Sequence, residues 1–393
     1  MSEAMTPDGA LLERQNQIYL EGVRGQRPSL PISPDELETR AREKLPREAF
    51  DYVAGGAGGE DTVRANRAAF TRWRIVPHML RDIATRDLHV DLLGQRFAVP
   101  VMLAPLGVLS IVHPDGELAV ARAAASLGVP YMLSTASSHP MEQVAGAAEN
   151  AQRWYQLYWS RDPELAASMV RRAEAAGFGA IVVTLDTKML AWRERDLQNA
   201  YLPFLLGAGL GNYFSDPVFR RSLARPIEED PQGAITQWTR TFSNPAQTWS
   251  DLASLRAHTR LPILLKGILH PEDALRALDA GVDGLIVSNH GGRQLDGAIA
   301  ALDALPDVVA AVGGRVPVLF DSGIRRGGDA IKALALGAKM VLLGRPYAYG
   351  LALGGEDGVR EVVLNLLADL DASLALSGHR SIAELTPDLL VRG

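Results

Sequence analysis

The segment Ser288-Asn289-His290-Gly291-Gly292-Arg293-Gln294 places a titratable base three residues before a permanent cation. It follows an apolar run, residues 284–287, which predicts a buried strand. A guanidinium can bind a carboxylate through paired hydrogen bonds, while an imidazole takes a proton from the neighbouring carbon or its hydroxyl. The pattern therefore indicates a site for an anionic substrate. The alternative is a surface loop that happens to contain a histidine.

The composition excludes several classes of protein. The chain has 393 residues, 47% of them hydrophobic, so a large core is available and global disorder is not expected. Its net charge is −6 with dispersed basic residues, which argues against nucleic-acid binding. Without any cysteine, no disulfide, thiolate metal site or cysteine nucleophile is possible, and no metal is expected. Neither a secretory signal in residues 1–15 nor a membrane span is apparent, so the cytoplasm is the expected location.

Eight short apolar runs predict buried strands, at residues 101–104, 131–134, 154–158, 180–184, 262–266, 285–288, 317–321 and 340–344. Helical patterns lie between most of them. This alternation predicts an α/β protein whose residues 101–393 form a (β/α)8 TIM barrel. Residues 1–100 are expected to be an N-terminal helical extension packed on the barrel, with a helix over residues 34–54 leading into a Gly-rich turn.

The gap after the fourth predicted strand, about residues 189–247, is much longer than the others. Such insertions emerge at the face of a barrel where the chemistry occurs, so we interpret this one as a lid; a decorative insertion is the alternative. Its apolar residues 201–206 could instead contact a membrane or a neighbouring subunit. The Gly-rich residues 207–211 follow no strand-to-helix crossover, so we interpret them as a source of flexibility.

Polar side chains follow nearly every predicted strand, and so many converging groups predict a large polar ligand. Gly-rich turns after the seventh and eighth strands, together with Arg345, predict a phosphate site; the alternative is that these glycines only end strands. Lys266 could form a Schiff base, stabilise an anionic cofactor ring, or belong to an interior ion pair. The phosphate site and the neighbouring His–Arg pair favour the cofactor interpretation.

Residues 288–294 and 321–327, together with residues 45–52, 156–158, 331–338 and 344–346, form motifs that resemble those of the FMN-dependent α-hydroxy-acid oxidases and dehydrogenases. The resemblance runs from about residue 35 to the end of the sequence. Residues 53–56, 203–205, 212–213, 216–219 and 322–325 resemble the lactate 2-monooxygenase branch of that family. The resemblance implies an FMN cofactor, a small L-2-hydroxy acid such as L-lactate as substrate, and oxygen as acceptor. It also implies a homo-oligomer, either a tetramer or an octamer.

The resemblance further implies roles for individual residues. His290 would be the catalytic base, with Asp186 holding its imidazole, and Tyr158 would contribute to both catalysis and binding. The substrate carboxylate and hydroxyl would be bound by Tyr52, Tyr158, Arg193 and Arg293. FMN would be bound by Ala104, Pro105, Gly107, Ser134, Gln156, Thr184, Lys266, Ser288, Asp321, Gly323, Arg325, Gly344 and Arg345.

The final products remain open at this point. A monooxygenase would release acetate, carbon dioxide and water, an oxidase would release the 2-keto acid and peroxide, and a dehydrogenase would use another acceptor. Glycine at position 107 resembles the monooxygenase branch, since alanine is usual there in oxidases. Hydride and carbanion routes are both compatible with the sequence. Two further alternatives are a lyase that uses Lys266 as a Schiff base and a catalytically silent barrel that acts as a binding protein.

Overall fold

The computed structural model describes residues 7–393, with side-chain surroundings from residue 13 onward; residues 1–6 of the predicted extension lie outside the described residues. Helices and short strands precede the barrel: α1 (Pro7–Val23), α2 (Pro34–Lys44), α3 (Arg47–Ala54), α4 (Asp61–Thr71), β1 (Trp73–Ile75), β2 (Val90–Leu92) and β3 (Gln95–Phe97). The single helix predicted over residues 34–54 is wrong, because Pro46 forces Leu45 into an extended conformation and divides it.

A closed barrel of eight parallel strands follows, in agreement with the predicted fold class. The strands are β4 (Val101–Leu103), β5 (Tyr131–Ser134), β6 (Arg153–Tyr158), β7 (Ile181–Thr184), β8 (Ile263–Ile268), β9 (Gly284–Val287), β10 (Val318–Phe320) and β11 (Met340–Leu343). Each pairs with its neighbours in chain order, and β11 pairs with β4 to close the barrel. All eight predicted strands are therefore confirmed, with small shifts at their ends.

Helices connect the strands and cover the outside of the barrel. They are α5 (Gly116–Leu127), α6 (Met141–Ala147), α7 (Pro163–Ala175), α8 (Glu194–Gln198), α9 (Gly211–Phe214), α10 (Pro217–Arg221), α11 (Pro231–Thr241), α12 (Leu252–Arg256), α13 (Pro271–Asp279), α14 (Ala301–Val312), α15 (Gly327–Ala335) and α16 (Arg345–Leu376). After α16, a last strand, β12 (Leu390–Arg392), pairs with β1. Helices α8 to α11 lie in the long insertion.

Successive residues of each strand face two different cores. In β4, Val101 and Leu103 pack outward against the helices, whereas Met102 packs inside the barrel with residues such as Leu264 and Leu342. This alternation follows from the two-residue repeat of a strand, and it explains why the strands are apolar along their whole length.

The hairpin of β2 and β3 closes one end of the barrel. Its residues Val90, Leu92 and Phe97 belong to the same apolar cluster as the barrel interior, and Phe97 lies edge-on to Trp154 with ring centroids 6.1 Å apart. The interior is therefore filled and sealed at the amino-terminal ends of the strands. Polar groups that follow the strands collect at the opposite end, where ligands bind in this architecture.

Candidate active site

A cavity of about 1170 Å³, counted out to its open mouth, lies at the carboxyl-terminal end of the barrel. The predicted site residues that line it are Tyr52, Ala104, Pro105, Gly107, Tyr158, Arg193, Lys266, His290, Arg293, Asp321, Gly323, Arg325, Gly344 and Arg345. The other predicted residues lie at or just after the ends of the barrel strands: Ser134 bonds to Gln156, Ser288 to Lys266 and Asp186 to His290, while Thr184 pairs in the sheet with Tyr158 and Lys266. The structure thus brings the predicted set together.

His290 is held in a fixed orientation by the loop that follows β7. Its Nδ1 lies 2.8 Å from Oδ1 of Asp186, which also accepts a hydrogen bond from Thr187 Oγ1 at 3.0 Å. A carboxylate only accepts, so Nδ1 carries the proton and Nε2 is the basic nitrogen. His290 itself adopts a left-handed backbone conformation, with φ of 59°, which is uncommon for a residue other than glycine.

Burial and charge act in opposite directions on this pair. Burial lowers the pKa of His290, the Asp186 carboxylate raises it, and the net position is below the ordinary value of 6.5. For Asp186, burial alone would raise the pKa, but His290 and then Lys266 lower it to about 2. The imidazole is therefore an available base at neutral pH, and the carboxylate beside it stays ionised.

Two guanidinium groups approach the same part of the cavity. The centres of the Arg293 and Arg193 guanidiniums lie 5.2 and 5.9 Å from the ring centroid of Tyr52. Burial and then the charge of Arg193 lower the pKa of Arg293 to about 9. Among the described residues Arg293 bonds only to backbone carbonyls, while Arg193 lies 3.7 Å from Asp196. Two poorly neutralised cations in one cavity favour an anionic ligand.

Gln294 joins the loops that carry these groups, although the sequence gave no reason to assign it a role. Its Oε1 accepts a hydrogen bond from Arg193 Nη2 at 2.9 Å, and its Nε2 donates to the carbonyl of Asp186 at 2.9 Å. The backbone carbonyl of Arg293 also accepts from Arg193 Nε. The amide therefore fixes Arg193 relative to the loop that positions the imidazole.

Lys266 is a paired cation. Its Nζ donates to Ser288 Oγ at 2.8 Å and lies 3.1 Å from Asp321 Oδ2. Burial would lower the pKa of this amine, but Asp321 and Asp186 outweigh burial and raise it. A Schiff-base lysine needs a lowered pKa to be nucleophilic, so the structure disfavours the lyase alternative.

The residues present fit an FMN molecule. Among the described residues, the buried Gln156 Nε2 and Thr184 Oγ1 have no hydrogen-bond partner, although buried polar atoms normally have one. At the other end of the cavity, Arg325 and Arg345 are partly buried, and their guanidinium groups bond only to backbone carbonyls within the described part of the chain. Unpaired polar atoms suit the heterocyclic ring of a flavin, and two uncompensated cations suit its phosphate.

Comparison with known proteins decides the family. Residues 41–392 match the family model described as FMN-dependent dehydrogenase. The chain belongs to the FMN-dependent dehydrogenase family. Its cofactor is FMN, and its chemistry is the oxidation of 2-hydroxy acids.

Similar members of the FMN-dependent dehydrogenase family include an L-lactate oxidase of Lysinibacillus sphaericus, 48% identical and covering 98% of this chain and 97% of the relative. An FMN-dependent alpha-hydroxy acid dehydrogenase of Penicillium citrinum is 47% identical, covering 96% and 95%. Among solved structures, mandelate oxidase with (S)-4-hydroxymandelic acid has a TM-score of 0.82 and 42% identity, covering 92% of this chain and 99% of that one.

Several residues that line the cavity were not predicted. They are apolar and come from the insertion, the β4 loop or the β10 loop: Leu106, Leu190, Leu202, Phe204, Phe242 and Ile324. Phe204 belongs to the apolar segment that the sequence left open to a membrane or subunit contact, and it is buried at this cavity, stacked on Trp238. None of the helices described is long and apolar enough to cross a membrane.

Proposed function

We propose that this protein is a lactate 2-monooxygenase, which oxidises L-lactate and decarboxylates the product before it leaves. The observation that carries the proposed chemistry is the His290–Asp186 pair in the same cavity as two guanidinium groups. The overall reaction would convert L-lactate and oxygen into acetate, carbon dioxide and water. In this proposal residues 1–100 form an extension packed on the barrel, and residues 189–247 act as a lid.

Arg193 and Arg293 would bind the substrate carboxylate, because the guanidinium groups of both lie near the ring of Tyr52. Among the described residues, Arg293 donates hydrogen bonds only to backbone carbonyls, so it is available to an anionic ligand. Burial raises the pKa of the Tyr158 phenol, so it stays protonated and can donate a hydrogen bond to the substrate. His290 Nε2 would then take the proton of the hydroxyl or of the α-carbon. Asp186 stabilises the imidazolium that results.

FMN, when bound, accepts the two electrons removed from the α-carbon and passes them to oxygen. The phosphate would be held by Arg325 and Arg345, and Lys266 would face the part of the ring that becomes negatively charged. Gln156 and Thr184, whose polar atoms lack partners among the described residues, would bond to the ring.

Retention of the keto acid is the step that separates a monooxygenase from an oxidase. Peroxide and pyruvate held together form acetate, carbon dioxide and water, whereas early release yields pyruvate and peroxide. Leu202, Phe204 and Phe242 supply an apolar cover over the cavity, which favours retention. Gly107 supports the same outcome because its wall has no space for a methyl group: a Cβ there would lie 2.7 Å from that of Ala136.

L-Lactate oxidase is the second candidate function, because a relative of that name is 48% identical over nearly the whole chain. Aerobic turnover of L-lactate, with acetate, pyruvate and peroxide quantified together, separates the two. Acetate as the main product supports the monooxygenase. Stoichiometric pyruvate and peroxide would refute it in favour of the oxidase, and rapid dye reduction with little oxygen uptake would refute both in favour of a dehydrogenase.

A further inference from the structure

A buried carboxylate lies outside the catalytic set, at the start of α5. Glu117 is only 3% exposed, and its Oε1 accepts hydrogen bonds from the backbone N–H groups of Leu109 and Ser138, each at 3.1 Å. Its Oε2 is buried without a partner among the described residues, and burial raises the pKa of this carboxyl. Burying a carboxyl group costs free energy unless hydrogen bonds compensate for the lost water. Here the compensating bonds come from two different loops, which Glu117 therefore joins.

The two loops form one wall of the cavity. Gly107 and Val108 follow β4, Ala136 follows β5, and all three residues line the cavity. The N–H of Val108 donates to the carbonyl of Ala136 at 2.8 Å. Two sets of hydrogen bonds therefore join these loops: the backbone bond between Val108 and Ala136, and the bonds from Leu109 and Ser138 to Glu117.

The wall is strained where it is held. Val108 has a φ of 62°, a left-handed conformation that is a true outlier for a β-branched residue. Such conformations persist only where the surrounding structure enforces them, and they concentrate at functional sites. The hydrogen bond from Leu109, the next residue, to Glu117 is part of that enforcement.

The same contacts extend to the insertion. Ser138 Oγ donates to Ser110 Oγ at 2.8 Å and accepts from the N–H of Gly209 at 3.3 Å. A Cβ on Gly209 would lie 2.9 Å from the carbonyl oxygen of Ala136, so the insertion rests directly on the wall. A shift of the wall would therefore also shift the cover of the cavity.

We propose that Glu117 is a positioning residue that holds the strained Gly107–Val108 segment against Ala136, and thereby sets how long the keto acid stays in the cavity. This inference rests on the proposed function for its link to acetate formation. Glu117 is not among the residues that line the cavity. It acts through the two loops whose N–H groups it binds.

The test compares Glu117→Met with Glu117→Gln in the FMN-loaded enzyme. Methionine has a similar length but cannot accept from Leu109 and Ser138, whereas the glutamine oxygen can accept from both. For Glu117→Met we expect the Kd of pyruvate for the photoreduced enzyme to rise by roughly tenfold, which corresponds to the free energy of about one hydrogen bond. We expect the fraction of product released as acetate to fall by a similar factor. Anaerobic bleaching by L-lactate should stay within about twofold of the parent enzyme, and Glu117→Gln should behave like the parent.

Unchanged product ratios and pyruvate affinity in Glu117→Met would overturn the inference, as would equal damage in Glu117→Gln. Should Glu117→Met not fold, Glu117→Asp replaces it, because the shorter carboxylate cannot reach both donors; parent-like values there also overturn the inference. A parent enzyme that forms only pyruvate and peroxide refutes the proposed function instead. In that case the pyruvate affinity still decides the role of Glu117.

Discussion

Replacing Asp186 by asparagine removes the charge beside His290 while keeping the shape of the side chain. The amide oxygen can still accept from Nδ1, so the tautomer of the imidazole is preserved. What is lost is the electrostatic stabilisation of the imidazolium that forms when His290 takes the substrate proton. We therefore expect a slower reaction with bound flavin and overall fold retained.

The size of the loss follows from the carboxylate itself. The pKa of Asp186 falls from an ordinary 3.8 to about 2, although burial acts in the opposite direction. This lowering corresponds to roughly 2 kcal/mol of stabilisation of the ionised form. His290 supplies the largest favourable part and Lys266 a smaller one, so kcat/KM should fall by about 10- to 60-fold.

The assay is the anaerobic rate of flavin reduction by L-lactate across a range of pH. Burial lowers the pKa of His290 and Asp186 raises it, so removing the carboxylate lowers this pKa further. The acid limb of kcat/KM, along which His290 loses its proton, should therefore move to lower pH. Thr187→Val is the matched control, since it removes a hydrogen bond to the same carboxylate but no charge.

Three results would refute this reasoning. An Asp186→Asn enzyme with a kcat/KM within about twofold of the parent would show that the carboxylate does not stabilise the imidazolium. An acid limb that moves to higher pH would show that His290 is not the titrating base. A Thr187→Val enzyme as slow as Asp186→Asn would assign the effect to geometry rather than charge.

Three further predictions follow from contacts described above. Gln294→Met removes the bridge between Arg193 and the Asp186 carbonyl, so KM for L-lactate should rise by roughly tenfold with a smaller change in kcat; an unchanged KM in steady-state kinetics contradicts this. Gly107→Ala puts a methyl 2.7 Å from Ala136 Cβ and should raise the peroxide yield, whereas Gly146→Ala, in open space, should not. Asn212→Ala removes three buried hydrogen bonds and should lower the free energy of unfolding by about 2–4 kcal/mol in urea titrations; a loss below about 1 kcal/mol contradicts the anchoring described next.

Part of the Gly-rich segment, residues 207–211, is closely packed. The sequence predicts flexibility there, and Gly207 has open space around it, but a Cβ on Gly211 would lie 2.6 Å from backbone atoms of the β5 loop. Next to it, Asn212 is fully buried, donates to the carbonyls of Ser134 and Thr135, and accepts from the N–H of Met141. Gly209 and Gly211 permit close packing, which no local pattern distinguishes from flexibility.

The barrel was predictable because each strand is a short apolar run and polar residues follow it at one end. His290, Lys266 and Asp321 could be found by that rule, since strand ends converge in a barrel. Glu117 could not, because its partners are backbone N–H groups, which have no signature in the sequence. Gln294 could not either, because one of its partners is a backbone carbonyl and the other, Arg193, lies about a hundred residues away in the chain. Pro46 is the sequence signal for the division of the helix predicted over residues 34–54, because the residue before a proline disfavours helical conformation.

The burial of Asn212 limits how molecules enter and leave. The centre of the insertion is bonded to the barrel, so we expect the lid to open at its edges rather than by movement of the whole insertion. We expect passage at the rim near Leu190 and Leu202, which line the cavity; Leu190 and Trp192 are exposed. Residence times of substrate and product would be governed by this short rim, and crosslinking it should stop exchange without disturbing the chemistry beneath.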